Sequence, residues 1–153
     1  MKPSPLELER HFFRRIHVDA QKAPVPEHEN IFDCSIEYGK DLNNPRRFRL
    51  LLRLRLKGDS DERPAYLAEF EILGFFRVED AWPEEKCEDL VAVNGPSLLF
   101  GAIREMLLNL TGRMEHGPVN LRTVSFSATP DPAAQKAAAK RLRKTARSPA
   151  RKD

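Results

Sequence analysis

The side chains that could do chemistry in this chain are few and scattered. The four histidines are His11, His17, His28 and His116. His11 and His17 lie six apart in an alternating stretch, on what reads as its solvent face, where histidines are more often surface residues than ligands. Cys34 and Cys87 have neither metal nor redox spacing, so reduced thiols in a cytoplasmic protein are expected. Glu79, Asp80, Glu84, Glu85, Glu88 and Asp89 crowd around Trp82-Pro83. An acidic run of that kind reads as a solvated loop leading into a short helix turn. No Gly-rich phosphate loop and no nucleophile elbow occurs. The sequence therefore implies no enzyme, no metal and no cofactor.

Cations offer a second kind of chemistry. From Pro130 to Asp153 eight Lys or Arg face Asp131 and Asp153, a net of +6 in a chain of net +3, which leaves residues 1–129 at −3. Basicity belongs to the tail. Such a tail could touch nucleic acid or a ribosome through phosphates, but no aromatic interleaves with its charges to stack on bases. Nucleic acid is not the expected partner. Residues 1–129 read as one domain, and 130–153 as a basic, disordered extension.

The elements before the tail read clearly. From Arg47 to Lys57, Phe48, Leu50, Leu52, Leu54 and Leu56 alternate with Arg47, Arg49, Leu51, Arg53, Arg55 and Lys57, the signature of a half-buried strand. Pro64 to Val78 repeats the pattern, with Tyr66, Ala68, Phe70, Ile72, Gly74 and Phe76 on one face. Leu67, Glu69, Glu71, Leu73 and Phe75 take the other. As a hairpin the two place Leu52 beside Phe70 and Arg53 beside Glu69. Ile31 to Tyr38 gives a third strand. Leu6 to Gln21 gives a looser one, with Leu8, Phe12, Ile16 and Val18 sharing a face with Arg10 and Arg14. Pro24-Val25-Pro26 is too stiff for a hairpin turn and predicts a crossing connection between these two.

A helix is predicted from Asn94 to Thr111, with Pro96 at its first position and Gly112 as a left-handed cap. Leu99, Phe100, Ala102, Ile103, Met106, Leu107 and Leu110 cover an arc of about 160°, where a surface helix needs about 100°. Leu108 falls amid its polar side. Strands first and a helix afterwards give an α+β fold, with the helix on one face of an antiparallel sheet. No apolar run approaches the roughly 18 residues of a membrane span, and the N-terminus lacks a signal-peptide pattern. The surplus apolar arc, with Leu67, Leu73 and Phe75 on the sheet's other face, marks assembly or binding of apolar segments.

Asn94-Gly95-Pro96-Ser97-Leu98-Leu99-Phe100-Gly101-Ala102-Ile103-Arg104-Glu105 resembles the helix signature of the SecB export chaperones. Asn109-Leu110-Thr111-Gly112-Arg113 and Pro118-Val119-Asn120-Leu121 continue the likeness. Phe13-Arg14-Arg15-Ile16, Tyr66-Leu67-Ala68-Glu69-Phe70 and Gly74-Phe75-Phe76 resemble the family's strands. The resemblance implies a four-stranded antiparallel sheet with a long helix packed on it. It implies a homotetramer whose helices are sandwiched between sheets, and an ATP-independent holdase for unfolded or newly made polypeptides. Carried over, Phe32, Ile36, Tyr38 and Leu42 line the client groove. Trp82 and Phe126 join them as exposed-looking aromatics. Leu67 and Glu69 match part of the docking site for the SecA motor. Leu99, Ile103, Met106, Leu107, Leu108 and Leu110 would form the oligomer seam. The Leu-Thr-Gly-Arg ending at Arg113 also resembles the branch that guards an antitoxin, so export and antitoxin protection both stay open. The arginine-rich neighbouring strand speaks against SecA, whose cationic tail prefers an acidic surface. A homo-oligomeric adaptor for a folded partner, or a nucleic-acid contact through the tail, are the alternatives.

Overall fold

Alternation sets the strands. The computed structural model describes residues 2–24, 30–58 and 63–127, and in them β1 (Leu6–Ala20), β2 (Ile31–Lys40), β3 (Arg47–Lys57) and β4 (Tyr66–Val78) precede α1 (Cys87–Thr111). One sheet holds them in the order β1-β4-β3-β2, every neighbour antiparallel. The inward row of β3, from Phe48 to Leu56, is buried together with Tyr66, Phe70, Ile72 and Phe76 of β4. β1 and β2 occupy opposite edges and are not paired, so they do not form the tight hairpin that the prolines argue against. Residues 25–29 between them lie outside the described residues, as do the whole of the basic extension at 130–153 and the hairpin tip at 59–62.

Two features of the sheet differ from expectation. Leu52 pairs with Ile72, and Arg53 with Glu71 rather than Glu69. A slip of two residues keeps every side chain on its face, so alternation alone cannot detect it. Arg55 takes Glu69 instead, at 2.8 Å. The register of β1 against β4 shifts between Leu8 and Arg10 and again between Phe13 and Arg15. Each shift is a bulge that exchanges faces for the residues beyond it. Phe12 therefore pairs with Leu73 on the outer face, while Phe13 pairs with Ile72 on the helix face. His11 sits opposite Gly74 and His17 opposite Glu69, so the two histidines do not share a face.

The helix begins earlier than expected. Glu84–Lys86 forms a 3-10 turn and α1 starts at Cys87, with Glu88 and Asp89 in its first turn, where the positive end of the helix dipole favours carboxylates. Arg46 pins this entrance by donating from Nη1 to the carbonyls of Glu79 and Trp82, both at 2.8 Å. Gly95 and Pro96 lie inside the helix and are buried. A Cβ on Gly95 would meet Leu50 Cδ2 at 2.7 Å, so glycine lets the helix descend onto the sheet there. Across the layer, a Cβ on Gly74 would meet Leu99 Cδ2 at 2.7 Å and Phe76 Cε2 at 2.9 Å. Gly112 is right-handed, with φ −61° and ψ −15°. The left-handed glycine is Gly117, at φ 77°.

Beyond the helix the chain turns back along it without regular structure. Buried Thr111 donates to the Leu107 carbonyl at 2.7 Å and accepts from the Val119 N–H at 2.8 Å, tying the returning segment to the last turn. Val119 and Leu121 are buried. The stretch Glu84–Thr111 is long and apolar enough to suit a bilayer by length and composition alone. Its apolarity is accounted for by burial of Val91, Leu99, Phe100, Ile103 and Leu107 within the fold.

Candidate functional site

α1 lies across β4, β1 and β3 and leaves edge strand β2 at its margin. On the helix face of β2 stand Phe32, Ile36 and Tyr38, opposite Leu56, Leu52 and Leu50 of β3. Phe32 and Ile36 are half-buried against the core, whereas Tyr38 is 52% exposed. Phe32 lies 5.7 Å from the ring of Phe100 on α1, and Phe100 meets Phe126 edge-on at 6.0 Å. Three aromatics from β2, α1 and the returning segment thus form one row. Phe100 was absent from the expected groove. Its place in the helical arc is readable, but its aim toward β2 depends on the helix axis.

Tyr38 reaches the helix for a specific reason. Pro96 has no N–H, so the Ala92 carbonyl one turn earlier lacks its helical donor. The Tyr38 hydroxyl supplies one at 3.2 Å. Burial raises the Tyr38 pKa above its ordinary value and Cys34 adds to the rise, so the hydroxyl keeps its proton. Tyr38, Phe48, Val91 and Ala92 line a cleft of about 370 Å³ here, flanked by the Lys40–Glu88 ion pair at 2.9 Å. Desolvation also pushes the Cys34 thiol up to about 11, so it is protonated at neutral pH although the side chain is exposed. Cys34 and Cys87 are not disulfide-bonded.

The other expected groove residues fall elsewhere. Leu42 is fully exposed in the β2–β3 turn, where Asp41 and Asn44 side chains accept from the backbone N–H groups of Asn43 and Arg46 and close the turn beneath it. Trp82 packs in the connection between β4 and α1, its indole N–H directed at the Lys86 carbonyl at 3.4 Å. Phe100 lies about 20 Å further along the helix, so Trp82 and Phe126 do not share a site.

The expected oligomer seam divides. Leu99, Ile103 and Leu107 are completely buried against the chain's own sheet and have no surface to offer a second copy. The wide apolar arc counted these core residues as free. Met106 and Leu110 are half-buried, while Leu108 and Leu98 are 39% and 46% exposed, so of the expected seam Leu108 keeps the most exposed surface.

On the outer face, Leu67 is exposed, but Glu69 is held by Arg15 at 3.2 Å and Arg55 at 2.8 Å. A carboxylate so matched has little charge left for a cationic partner. One row further, Arg53 bridges Glu37 and Glu71, donating from Nε to Glu71 at 2.6 Å. That bond depresses the Glu71 pKa, with Arg14 and Arg15 assisting. A carboxylate lowered in the folded state adds stability above its unfolded value of about 4.3, and loses it as pH falls through the lower folded value. Urea midpoints across about pH 6 to 3 should therefore fall further for the parent protein than for Glu71→Gln.

Residues 4–136 match the family described as preprotein translocase subunit SecB. The protein-export protein SecB of Acidithiobacillus ferrooxidans is 35% identical over 77 residues, 50% of this chain and 51% of that protein. That of Dechloromonas aromatica is 30% identical over 79 residues, 52% and 51% of the two chains. The chain spans about half the length of these relatives. In structure it is similar to the SecB-like chaperone of Mycobacterium tuberculosis solved with a peptide of the HigA1 antitoxin, at a TM-score of 0.59 and 20% identity, covering 79% of this chain and 88% of that one. A four-stranded antiparallel sheet carrying one long helix, matched over nearly its whole length by the family, places this chain in the SecB family.

Proposed function

We propose that this protein is an ATP-independent holdase that keeps unfolded or newly made polypeptides extended, acting in the cytoplasm as a homotetramer and without a catalytic step. The observation that carries the reading is the aromatic and aliphatic row on β2, Phe32, Ile36 and Tyr38, left only partly covered by α1. An apolar row beside an edge strand can hold many sequences. The strand's free edge gives main-chain hydrogen bonds and its alternate side chains form the pockets. Leu98 and Leu108 supply the surface on which a second helix would lie.

For the client, an antitoxin is favoured over an export route through SecA. Glu69, which with Leu67 would form the motor-docking site, is neutralised by Arg15 and Arg55. The structural neighbour was solved with an antitoxin peptide. The test is suppression of aggregation of a chemically unfolded client without nucleotide, with light scattering for the assembly. The parent should scatter as a tetramer and suppress aggregation. Ile36→Asp, which puts a charge in the centre of the row, should weaken client binding about tenfold or more while leaving the tetramer intact. A monomer without effect on aggregation would refute the reading. An adaptor for one folded partner would be indifferent to competition by unfolded polypeptide.

A further inference from the structure

The outer face of the sheet carries a feature that client holding does not use. Arg10 on β1, Phe75 on β4, Arg49 on β3 and Gly39 on β2 are register partners in one row across all four strands. The Arg10 guanidinium lies 4.4 Å from the centre of the Phe75 ring. Arg49 extends over Gly39, whose missing side chain leaves room for it: a Cβ there would sit 3.4 Å from Arg49 Nε. These residues line a cleft of about 640 Å³. Phe12, 46% exposed, abuts Phe75 with ring centres 6.2 Å apart and continues the floor with Leu73.

The charges in this cleft are not balanced. Arg47 is paired with Glu9 at 3.0 Å and Lys40 with Glu88 at 2.9 Å. Asp41, also at the rim, accepts the Asn43 N–H at 2.8 Å. Arg10 and Arg49 have no carboxylate partner among the described residues. They contrast with Arg15, Arg53 and Arg55 on the same face, each of which is ion-paired. Two free guanidinium groups, one stacked and one laid over a glycine, flank an aromatic floor.

We propose that this cleft docks an acidic, apolar-flanked segment of a partner protein, with carboxylates on Arg10 and Arg49 and an apolar side chain on Phe75 and Phe12. Guanidinium groups bind carboxylates through paired donors, and stacking on a ring restricts Arg10 before the ligand arrives. Strands separated by about 4.8 Å put the two arginine backbones about 10 Å apart. An extended peptide spans that distance with acidic residues about two to three positions apart. A nucleic-acid strand fits less well. It needs a continuous cationic track, and Glu9, Glu37, Glu69 and Glu71 interrupt this face.

The test is fluorescence anisotropy of the full chain with a dye-labelled peptide of alternating aspartate and leucine, beside the same peptide with asparagine for aspartate and a single-stranded oligonucleotide. The acidic peptide should bind, and Arg10→Gln and Arg49→Gln should each weaken it about tenfold. Both residues are at the surface, and an unchanged melting temperature shows that the fold is kept. If either glutamine variant misfolds, Arg10→Lys and Arg49→Lys keep the charge but remove the fork and should still weaken binding. Aggregation suppression should persist in all of them, which separates docking from the holdase groove. Equal binding of the asparagine peptide, affinity unmoved by the arginine changes, or tighter binding of the oligonucleotide would overturn the proposal.

Discussion

Leu99→Ala should cost about 2–5 kcal/mol in a urea unfolding experiment, the range for a large aliphatic residue deleted from a core that cannot collapse. Leu99 is fully buried and sits in the hollow above Gly74, where a methyl group would approach its Cδ2 to 2.7 Å. Gly74→Ala alone should also destabilise, by about 1–3 kcal/mol, because neither Leu99 nor Phe76 has room to retreat. The informative variant is the double one. Its added methyl occupies part of the space that Leu99 vacates, so the combined cost should fall well below the sum of the two. Strict additivity would mean that Gly74 is required for something other than the seat of Leu99. Against a total stability of about 5–15 kcal/mol, the Leu99 change alone is a large fraction.

Tyr66→Phe should lose about 1–3 kcal/mol although every ring atom is retained. Tyr66 is fully buried, and its hydroxyl donates to the Gly117 carbonyl at 3.0 Å while accepting the His116 N–H at 3.0 Å. Phenylalanine strands both groups. His116 is held from a third side by its Nε2 contact with the Gln21 carbonyl at 2.7 Å. One hydroxyl therefore joins β4 to the turn that starts the returning segment, and that turn is in contact with the end of β1. Amide hydrogen exchange should quicken at His116 and at Val119 in the variant. Unchanged exchange there would show that the hydroxyl is dispensable to the turn.

The sequence disclosed faces better than positions along them. Period two identified the inward side chains of β3 from Phe48 to Leu56 and of β4 from Tyr66 to Phe76, because burial on one face enforces alternation; it left out Val78, which is also fully buried. The pairing slid by two residues from expectation, since Arg53 meets a glutamate in either register. The β1 bulges were hidden because Arg14 and Arg15 are interchangeable to the eye, and only the partner strand shows which is the extra residue. Asn94-Gly95-Pro96 reads as a boundary when glycine and proline are taken as punctuation. In the fold they are contact residues: Gly95 is thin enough for Leu50, and Pro96 is placed where Tyr38 can replace its missing donor.

The candidate site was legible to the same degree. Phe32, Ile36 and Tyr38 share a face by alternation alone and stay together in the structure. Phe126 reaches them through Phe100, a contact between segments that no local pattern reports. Trp82 was chosen for being aromatic, yet its surroundings make it part of the helix entrance. Leu99, Ile103 and Leu107 were assigned to a seam on the width of an apolar arc, which cannot distinguish a chain's own sheet from a neighbour's helix.

The two glycine seats also index the helix to the sheet. Leu50 rises into the gap at Gly95 and Leu99 descends into the gap at Gly74, so each layer carries one peg and one socket. A slide of one helical turn, about 5.4 Å, would bring Val91 or Leu99 over Leu50 in place of the glycine. The layers consequently have one register and no neighbouring one to ratchet into. Under the proposed holdase role, clients of different size would be accommodated at the rim, by β2, Tyr38 and the segment carrying Phe126. The adaptable part of this protein is its margin, and its centre is a fixed gauge.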